Sequence, residues 1–270
     1  MKNFIIVAVI IIMVVVPNGV AQTVGTNSTS LAGITSVVPH DPWALFHNPG
    51  ALGDSLPMTV TSFLSTGEFG LHELRRIAAA VVLPLEGAGV GIGADQFGFD
   101  LYKESSLLAG FGAGFDGGWS GGISVHIRQL DIKGYGTDRS VLIHAGSLIT
   151  MTRMIVLGVS AMNITGSRIG TIRERLPQTL ALGLRFEPSS DFFAVGEVEK
   201  DVRYPAAVKF AVHQSLGSFV GISAGLADHP QRLSAGIDVR YKGITCSWAG
   251  YSHEDLGWTH HVGITMELRQ

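Results

Sequence analysis

Every second residue is large and apolar in the segment Thr179-Leu180-Ala181-Leu182-Gly183-Leu184-Arg185-Phe186-Glu187. Such alternation is the period of a β-strand with one apolar face. The same pattern recurs in residues 233–241 and 261–268. The opposite face is rich in glycine with isolated charges. An apolar face against lipid and a wet interior are typical of a transmembrane antiparallel β-barrel, and this is the all-β fold that we predict.

Composition agrees with a barrel better than with a water-soluble domain. Hydrophobic residues make up 46% of the chain and charged residues only 15%, against about 25% charged in typical soluble domains. Alternating strands can present this apolar surface to lipid without a long apolar run. The net charge of −3 is small and scattered, so no nucleic-acid partner is predicted. The single cysteine, Cys246, lies on the predicted apolar face and cannot form an internal disulfide.

The chain divides into three parts. Residues 1–21 have a basic start at Lys2, continue as an apolar run and end in small residues. This pattern predicts a signal peptide cleaved after Ala21. Residues 22–57 are irregular and rich in proline, and we interpret them as an N-terminal hatch or plug segment. Residues 58–270 are expected to form an outer-membrane β-barrel of about fourteen strands.

The connections predict an orientation. Short turns after even-numbered strands alternate with longer connections after odd-numbered ones, at residues 67–73, 132–138, 165–175 and 252–257. Outer-membrane barrels have short turns on the periplasmic side. We therefore expect a protein of the bacterial outer membrane, surrounded by its lipid, with both termini in the periplasm.

No pattern indicates an enzyme. The glycines at 112–117 match the spacing of a dinucleotide fingerprint, but no helix pattern follows them. The adjacent His260 and His261 would point to opposite faces of a strand, so they are poor ligands for one ion. No nucleophile lies in a recognisable elbow. The sequence thus predicts no catalytic residue, no metal site and no cofactor.

Several charged side chains occupy the polar face of their strands and are predicted to face the lumen. They either pair structurally and bind the hatch, which we favour, or form a selectivity lining. These candidates are His126, Arg128, Arg185, Glu187, Lys209, Asp238, Arg240 and Glu267.

The irregular N-terminal part contains a bend signal at Asn48-Pro49-Gly50. Proline fixes its own backbone, glycine can take a positive φ, and the asparagine amide can bind neighbouring backbone groups. We predict that residues 31–52 plug the lumen from the periplasmic side, with the Asp41 carboxylate meeting an interior arginine such as Arg185 or Arg240. The alternative is a flexible periplasmic leader with a turn.

Both ends of the chain resemble a known family. The hatch motif Asp41, Asn48, Pro49, Gly50 and Leu52 is similar to the opening of the FadL-like outer-membrane barrels, particularly the PorV/PorQ group, and so are residues 176–177, 197–200 and 255–261. The resemblance implies a component of the type IX protein secretion apparatus, with secretion-system proteins or exported cargo as partners. The alternatives are a FadL-like channel for small hydrophobic compounds and a structural outer-membrane protein without transport activity.

Overall fold

The computed structural model describes residues 23–53, 57–253 and 256–268. Fourteen antiparallel strands close into a barrel, in which the first strand pairs with the last. This confirms the predicted all-β barrel and its strand number. The predicted signal peptide lies outside the described residues. The barrel strands are β1 (Met58–Ser65), β2 (Arg76–Leu85), β3 (Ala88–Phe99), β4 (Tyr102–Phe115), β5 (Trp119–Ile132), β6 (Gly136–Thr152), β7 (Ile155–Met162), β10 (Thr179–Ser189), β11 (Phe192–Asp201), β12 (Ala207–Leu216), β13 (Val220–Asp228), β14 (Gln231–Tyr241), β15 (Ile244–His253) and β16 (Gly257–Leu268).

Each barrel strand alternates between the two sides of the wall. Along β10, buried Thr179, Ala181 and Arg185 alternate with exposed leucines. Large apolar side chains cover the outside of the barrel on all fourteen strands or their ends. A continuous apolar exterior of this kind is the surface that a barrel presents to lipid. Among the described residues, no helix is long and apolar enough to cross a membrane.

The two ends of the barrel differ. One end, called the tight-turn end below, carries only two- or three-residue connections, at 86–87, 116–118, 153–154, 190–191, 217–219 and 242–243. The opposite end carries two long connections. Residues 66–75 contain the short 3₁₀ helices Glu68–Gly70 and His72–Leu74, and residues 163–178 contain a small hairpin of β8 (Arg168–Ile169) and β9 (Glu174–Arg175).

Two of the four connections predicted to be long are short: 252–257 is reduced to 254–256, and 132–138 is reduced in the same way. Residues 132–138 were expected to form a longer loop, but only 133–135 lie outside the strands. The reason is that β5 and β6 keep pairing up to Ile132 and Gly136, so the hairpin extends beyond the point where the apolar alternation weakens. Backbone hydrogen bonds, which do not depend on side-chain polarity, sustain this extension.

The outward register can be tested at Leu182, which is 55% exposed in the middle of β10. An arginine there would stand in hydrocarbon, and we expect Leu182→Arg to cost about 2–4 kcal/mol of barrel stability near the bilayer midplane. Urea unfolding in lipid vesicles measures this cost. Leu182→Met is the control, since it preserves an apolar side chain of similar size. Equal stability of the arginine variant and the parent would contradict the register.

Candidate functional site

Residues 23–53, called the lumen segment below, lie inside the barrel. The segment contains helix α1 (Thr26–Ser30) and two 3₁₀ helices, Pro42–Phe46 and Pro49–Gly53. Helix α1 packs against β13 to β16, whereas Pro49–Gly53 packs against β3 to β6, on the opposite side of the lumen. The apolar side chains of the segment join inward residues of the strands in one buried cluster. The main hydrophobic core of this protein therefore lies in the lumen of the barrel, between the lumen segment and the inner face of the strands.

Beneath residues 48–53 the wall carries a row of glycines. Gly89, Gly112, Gly122 and Gly146 are register partners across β3, β4, β5 and β6, and they are called the glycine row below. The backbone of residues 48–53 lies directly on this row. A Cβ added at Gly112 or Gly122 would collide with the carbonyl oxygen of Pro49, and one added at Gly89 would collide with that of Leu52. The row thus forms a seat shaped for backbone.

The motif predicted from the sequence occupies this seat. The Asn48 side chain is buried; its Nδ2 donates to the carbonyl of Ser36 and its Oδ1 accepts from the N–H of Gly50 at 3.1 Å. Pro49 opens the second 3₁₀ helix, and Leu52 is fully buried. One asparagine therefore ties together two parts of the segment that are twelve residues apart.

Glycine at position 50 serves a purpose other than the predicted one. Gly50 does not take a positive φ, so the expectation of a left-handed bend there is wrong. The residue is small because the lumen segment and β6 approach closely: an added Cβ would lie 2.6 Å from the carbonyl oxygen of Gly146. Close approach of backbone is the other common use of glycine.

Asp41 does not meet an arginine, contrary to the prediction. Its carboxylate accepts from the N–H of Trp43 at 3.3 Å and caps the 3₁₀ helix Pro42–Phe46, with Asn27 as a second partner. Burial raises the pKa of Asp41 to about 7, and these two hydrogen bonds offset only part of that effect. The arginines named in the prediction contact acids of the wall instead, Arg185 with Glu187 at 3.2 Å and Arg240 with Asp238 at 2.8 Å.

The acid that holds the lumen segment is Glu197 of β11, which sequence reasoning missed. Its Oε2 accepts from the N–H groups of Thr35 and Ser36, at 2.9 and 2.8 Å, and from the Ser36 hydroxyl at 2.7 Å. Its Oε1 pairs with Lys209 Nζ at 2.9 Å. Glu197 and Lys209, both buried, are called the latch below. The available signal was strand parity, since the two residues oppose each other on the inner face of β11 and β12.

Lys209 completes the latch from the neighbouring strand. Its ammonium group donates to the carbonyl of Gly33 at 2.8 Å and pairs with Glu199 at 3.0 Å. All of its three donors are thereby used. The latch therefore binds both N–H and C=O groups of residues 33–36, through charge-assisted hydrogen bonds in a buried place.

The structure places the predicted lumen candidates on inward positions, but it does not gather them into one cluster. His126 stacks on His144 with ring centroids 3.9 Å apart, and Arg128 lies 3.8 Å from Glu104. Glu267 lies at the rim of the tight-turn end and lines a cavity together with Glu187, Asp238 and Arg240. Most of the charges thus pair with neighbours on the same stretch of wall. Within the described part of the chain, no group of three or more His, Cys, Asp or Glu is arranged to hold a metal ion.

The closed barrel of fourteen antiparallel strands is a fold that several solved structures share. The CymD monoaromatic hydrocarbon channel superimposes with a TM-score of 0.68 at 10% identity, covering 92% of this chain and 98% of the other. The Ralstonia pickettii toluene transporter TbuX gives 0.67 at 11% identity, covering 91% and 98%. A Pseudomonas aeruginosa FadL homologue gives 0.66 at 12% identity, covering 92% and 99%.

The chain thus has the fold of the FadL-like β-barrels. No protein-family model matches it, and no curated protein matches it by sequence. Two of the three structures are described as a monoaromatic hydrocarbon channel and a toluene transporter. Sequence identities near one in ten do not extend the likeness beyond the fold, so the activity has to be argued from the residues of this chain.

Two buried titratable groups give the docking of the lumen segment a pH dependence. The raised pKa of Asp41 means that docking is strongest below pH 4 and weakens as pH rises to about 7. Burial lowers the pKa of His47 to about 4, so its contribution is present above pH 6.5 and is lost as pH falls from 6.5 towards 4. Between about pH 4 and 6.5 the contributions of Asp41 and His47 to the pH dependence of docking have opposite signs.

We expect Asp41→Asn to abolish the part of the pH dependence of docking that comes from Asp41 and to leave the part that comes from His47. The amide oxygen can still cap Trp43, so the variant should dock like the parent near pH 4 and more tightly than the parent above pH 7. Docking is measured by maleimide labelling of a cysteine at Ala44, which is 3% exposed, in a chain whose Cys246 is replaced by alanine. Identical pH profiles of the variant and the parent would contradict an ionisable, buried Asp41.

Proposed function

We propose that this protein is an outer-membrane channel for small molecules with a largely apolar body, and that the lumen segment is its hatch. The observation that carries the proposal is the seat: the wall presents a row of glycines and a buried ion pair to one particular stretch of the chain. An open pore does not need a row of glycines on its inner face, whereas a plug needs them because they let its backbone approach the wall closely. The hatch corresponds to the predicted segment 22–57, and the channel to residues 58–270.

The fold supports this proposal over the other functions considered. Proteins of the same fold are described as a monoaromatic hydrocarbon channel and as a toluene transporter. The tight-turn end would face the periplasm, as in other outer-membrane barrels, which places both termini there. A small hydrophobic molecule is then the partner of the channel, outer-membrane lipid is its surroundings, and no enzymatic step is involved.

A reversible tether tests whether the segment must move. An ideal Cβ at Gly183 lies 3.3 Å from the Cβ of Val37, which is within reach of a disulfide. In a background of Cys246→Ala and Ser36→Ala, the latter removing the hydroxyl oxygen that a Cβ at position 183 would strike, Gly183→Cys with Val37→Cys should block uptake of toluene into cells or vesicles when oxidised and restore it on reduction. Leu182→Cys with Val37→Cys is the control, since position 182 faces outward and cannot form the bond.

Two outcomes of the tether experiment would contradict the proposal. Uptake that continues through a fully oxidised tether would mean that the lumen segment is not the gate. Uptake that is equal with and without the protein would contradict the channel and leave the other two functions, a secretion component and a structural outer-membrane protein.

The second candidate is a PorV/PorQ-like component of the type IX secretion apparatus. It is favoured by the resemblance of the hatch motif, Asp41 and residues 48–52, and of the closing region around His260. Among the described residues, the connections between strands are short except at 66–75 and 163–178. They therefore offer little outer surface for cargo. Co-purification of secretion proteins or exported cargo from gently solubilised membranes, together with unchanged toluene uptake on deletion, would favour this candidate over the channel.

A further inference from the structure

A cavity of about 400 Å³ lies at the tight-turn end, between the lumen segment and the inner face of β10 to β16. Its size is within the range of small-molecule pockets. One side is apolar and consists of Leu31 and Val38 of the lumen segment together with Phe193 of β11. The opposite side carries hydroxyl groups and charges from β12 to β16. The cavity is therefore amphipathic, and its two sides come from different parts of the chain.

Arg240 presents unused hydrogen-bond donors on the polar side. Its Nε pairs with Asp238 at 2.8 Å, while its two terminal nitrogens reach only Ser215 Oγ and His213 Nε2, each at 3.4 Å. A guanidinium group has five N–H donors and no acceptor. Donors of Arg240 consequently remain for a molecule in the cavity.

A second donor follows from the tautomer of His213. Because the guanidinium of Arg240 can only donate, the Nε2 of His213 accepts, and the proton of a neutral ring then lies on Nδ1. This Nδ1–H donates to Ser223 Oγ at 2.9 Å, so the hydroxyl hydrogen of Ser223 is left to donate elsewhere. The same imidazole ring stacks on Phe193 with centroids 4.9 Å apart, which gives the cavity a flat aromatic wall.

The charge of the lining selects against anions. Three carboxylates, Glu187, Asp238 and Glu267, line the cavity, against the single guanidinium of Arg240. Arg240 pairs with Asp238, and Arg185 pairs with Glu187, so the carboxylate of Glu267 is in excess and would repel an anionic head group. A bare hydrocarbon would leave the donors of Arg240 and Ser223 without partners, at a cost that a ligand oxygen avoids.

We propose that this cavity binds small uncharged molecules that combine an apolar body with one oxygen acceptor, as phenols do. The oxygen accepts from Ser223, whose hydroxyl hydrogen is freed by the His213 tautomer that Arg240 sets, and the body lies against Leu31, Val38 and Phe193. This inference rests on the proposed channel function and deepens it, because it names the substrate class of the chamber on the tight-turn side of the hatch. The proposed substrates differ from bare hydrocarbons in that they carry one oxygen atom that accepts a hydrogen bond.

Three ligands with the same body test the proposal: p-cresol, toluene and 4-methylbenzoate. Binding to the purified, detergent-solubilised barrel is measured by titration calorimetry, with protein-free micelles as the blank for partitioning. We expect p-cresol to bind about tenfold or more tightly than toluene, since one satisfied hydrogen bond is worth about 1–2 kcal/mol. The benzoate should bind more weakly than p-cresol. Equal affinity for p-cresol and toluene, or tightest binding of the benzoate, would overturn the proposal.

A matched pair of variants locates the site. Ser223→Ala removes the proposed donor and should lower the affinity for p-cresol about five- to tenfold while leaving that for toluene unchanged. Ser160→Ala is the control, because Ser160 is a buried inward serine on β7 that does not line the cavity. An equal loss in both variants, or no loss in Ser223→Ala, would contradict binding at this place.

The failure of this inference can be told from the failure of the channel function. If toluene uptake depends on the tether but p-cresol is not preferred, the channel stands and the assigned substrate class is overturned. If p-cresol binds as described and loses affinity in Ser223→Ala while no compound is taken up, the site is supported and the channel is overturned.

Discussion

Replacing Gly122 with alanine is expected to expel the lumen segment from the barrel. The new Cβ would collide with the backbone carbonyl of Pro49, and backbone atoms on both sides leave little room for adjustment. Overpacking of a tight core commonly costs about 1–3 kcal/mol, and rigid backbone on both sides favours the upper end of that range. We expect maleimide labelling at position 44 to rise by about 100-fold.

The neighbouring glycine is a matched control for this variant. Gly121 lies on the same strand and faces outward, where an added Cβ meets the ring of Trp119 at 3.7 Å, an ordinary contact. Gly121→Ala should therefore leave labelling unchanged, and heat-modifiable migration in gels should show that both variants retain a folded barrel. Equal labelling of the two alanine variants would mean that the glycine row does not seat the hatch.

Replacing Glu197 with glutamine is expected to have the second large effect. The change removes the charge that accepts three hydrogen bonds from Thr35 and Ser36, and it leaves Lys209 with Glu199 as its remaining partner. Breaking a buried ion pair costs about 3–5 kcal/mol, and the remaining carboxylate reduces that cost. We expect labelling at position 44 to rise by about 100-fold, as after the loss of the glycine row.

Glu199→Gln separates the two roles of the latch. Glu199 also pairs with Lys209 Nζ, at 3.0 Å against 2.9 Å for Glu197, but the hydrogen bonds to the lumen segment come from Glu197 and Lys209 alone in this cluster. The control variant therefore removes a similar charge from Lys209 and spares the direct contacts of Glu197. If both variants raise labelling equally, the charge balance at Lys209 governs docking, and the direct contacts of Glu197 do not.

The parity of the strands was predictable because it is a local property. Successive side chains of a strand point to opposite faces whatever the strand pairs with, so the outward positions of Leu182 and Ile237 follow from the sequence around them. The number of strands follows in the same way from the alternating runs and the turn residues between them. The inward positions of Lys209 and Arg240 needed no knowledge of their neighbours.

The partners of the inward residues were not predictable, because they depend on pairing between distant segments. Glycines at 89, 112, 122 and 146 become one row only through the registers of three strand pairs. Glu197 meets Ser36 across 161 residues of sequence, while Asp41, the acid that sequence reasoning chose, is used by its own helix. Strand parity places Glu197 on the inner face of β11, but no local pattern shows that Glu197, and not Asp41, binds across the lumen.

A barrel of fourteen strands, its apolar outside and an irregular segment before the first strand were all predictable from the amino-acid sequence alone. Each of these depends on the polarity and backbone preference of neighbouring residues. The tertiary structure decided where that segment sits, why Gly50 is glycine, and which acid binds residues 35–36. Those features arise from close approach between segments far apart in the chain, and such approach is set by the closure and register of the whole barrel.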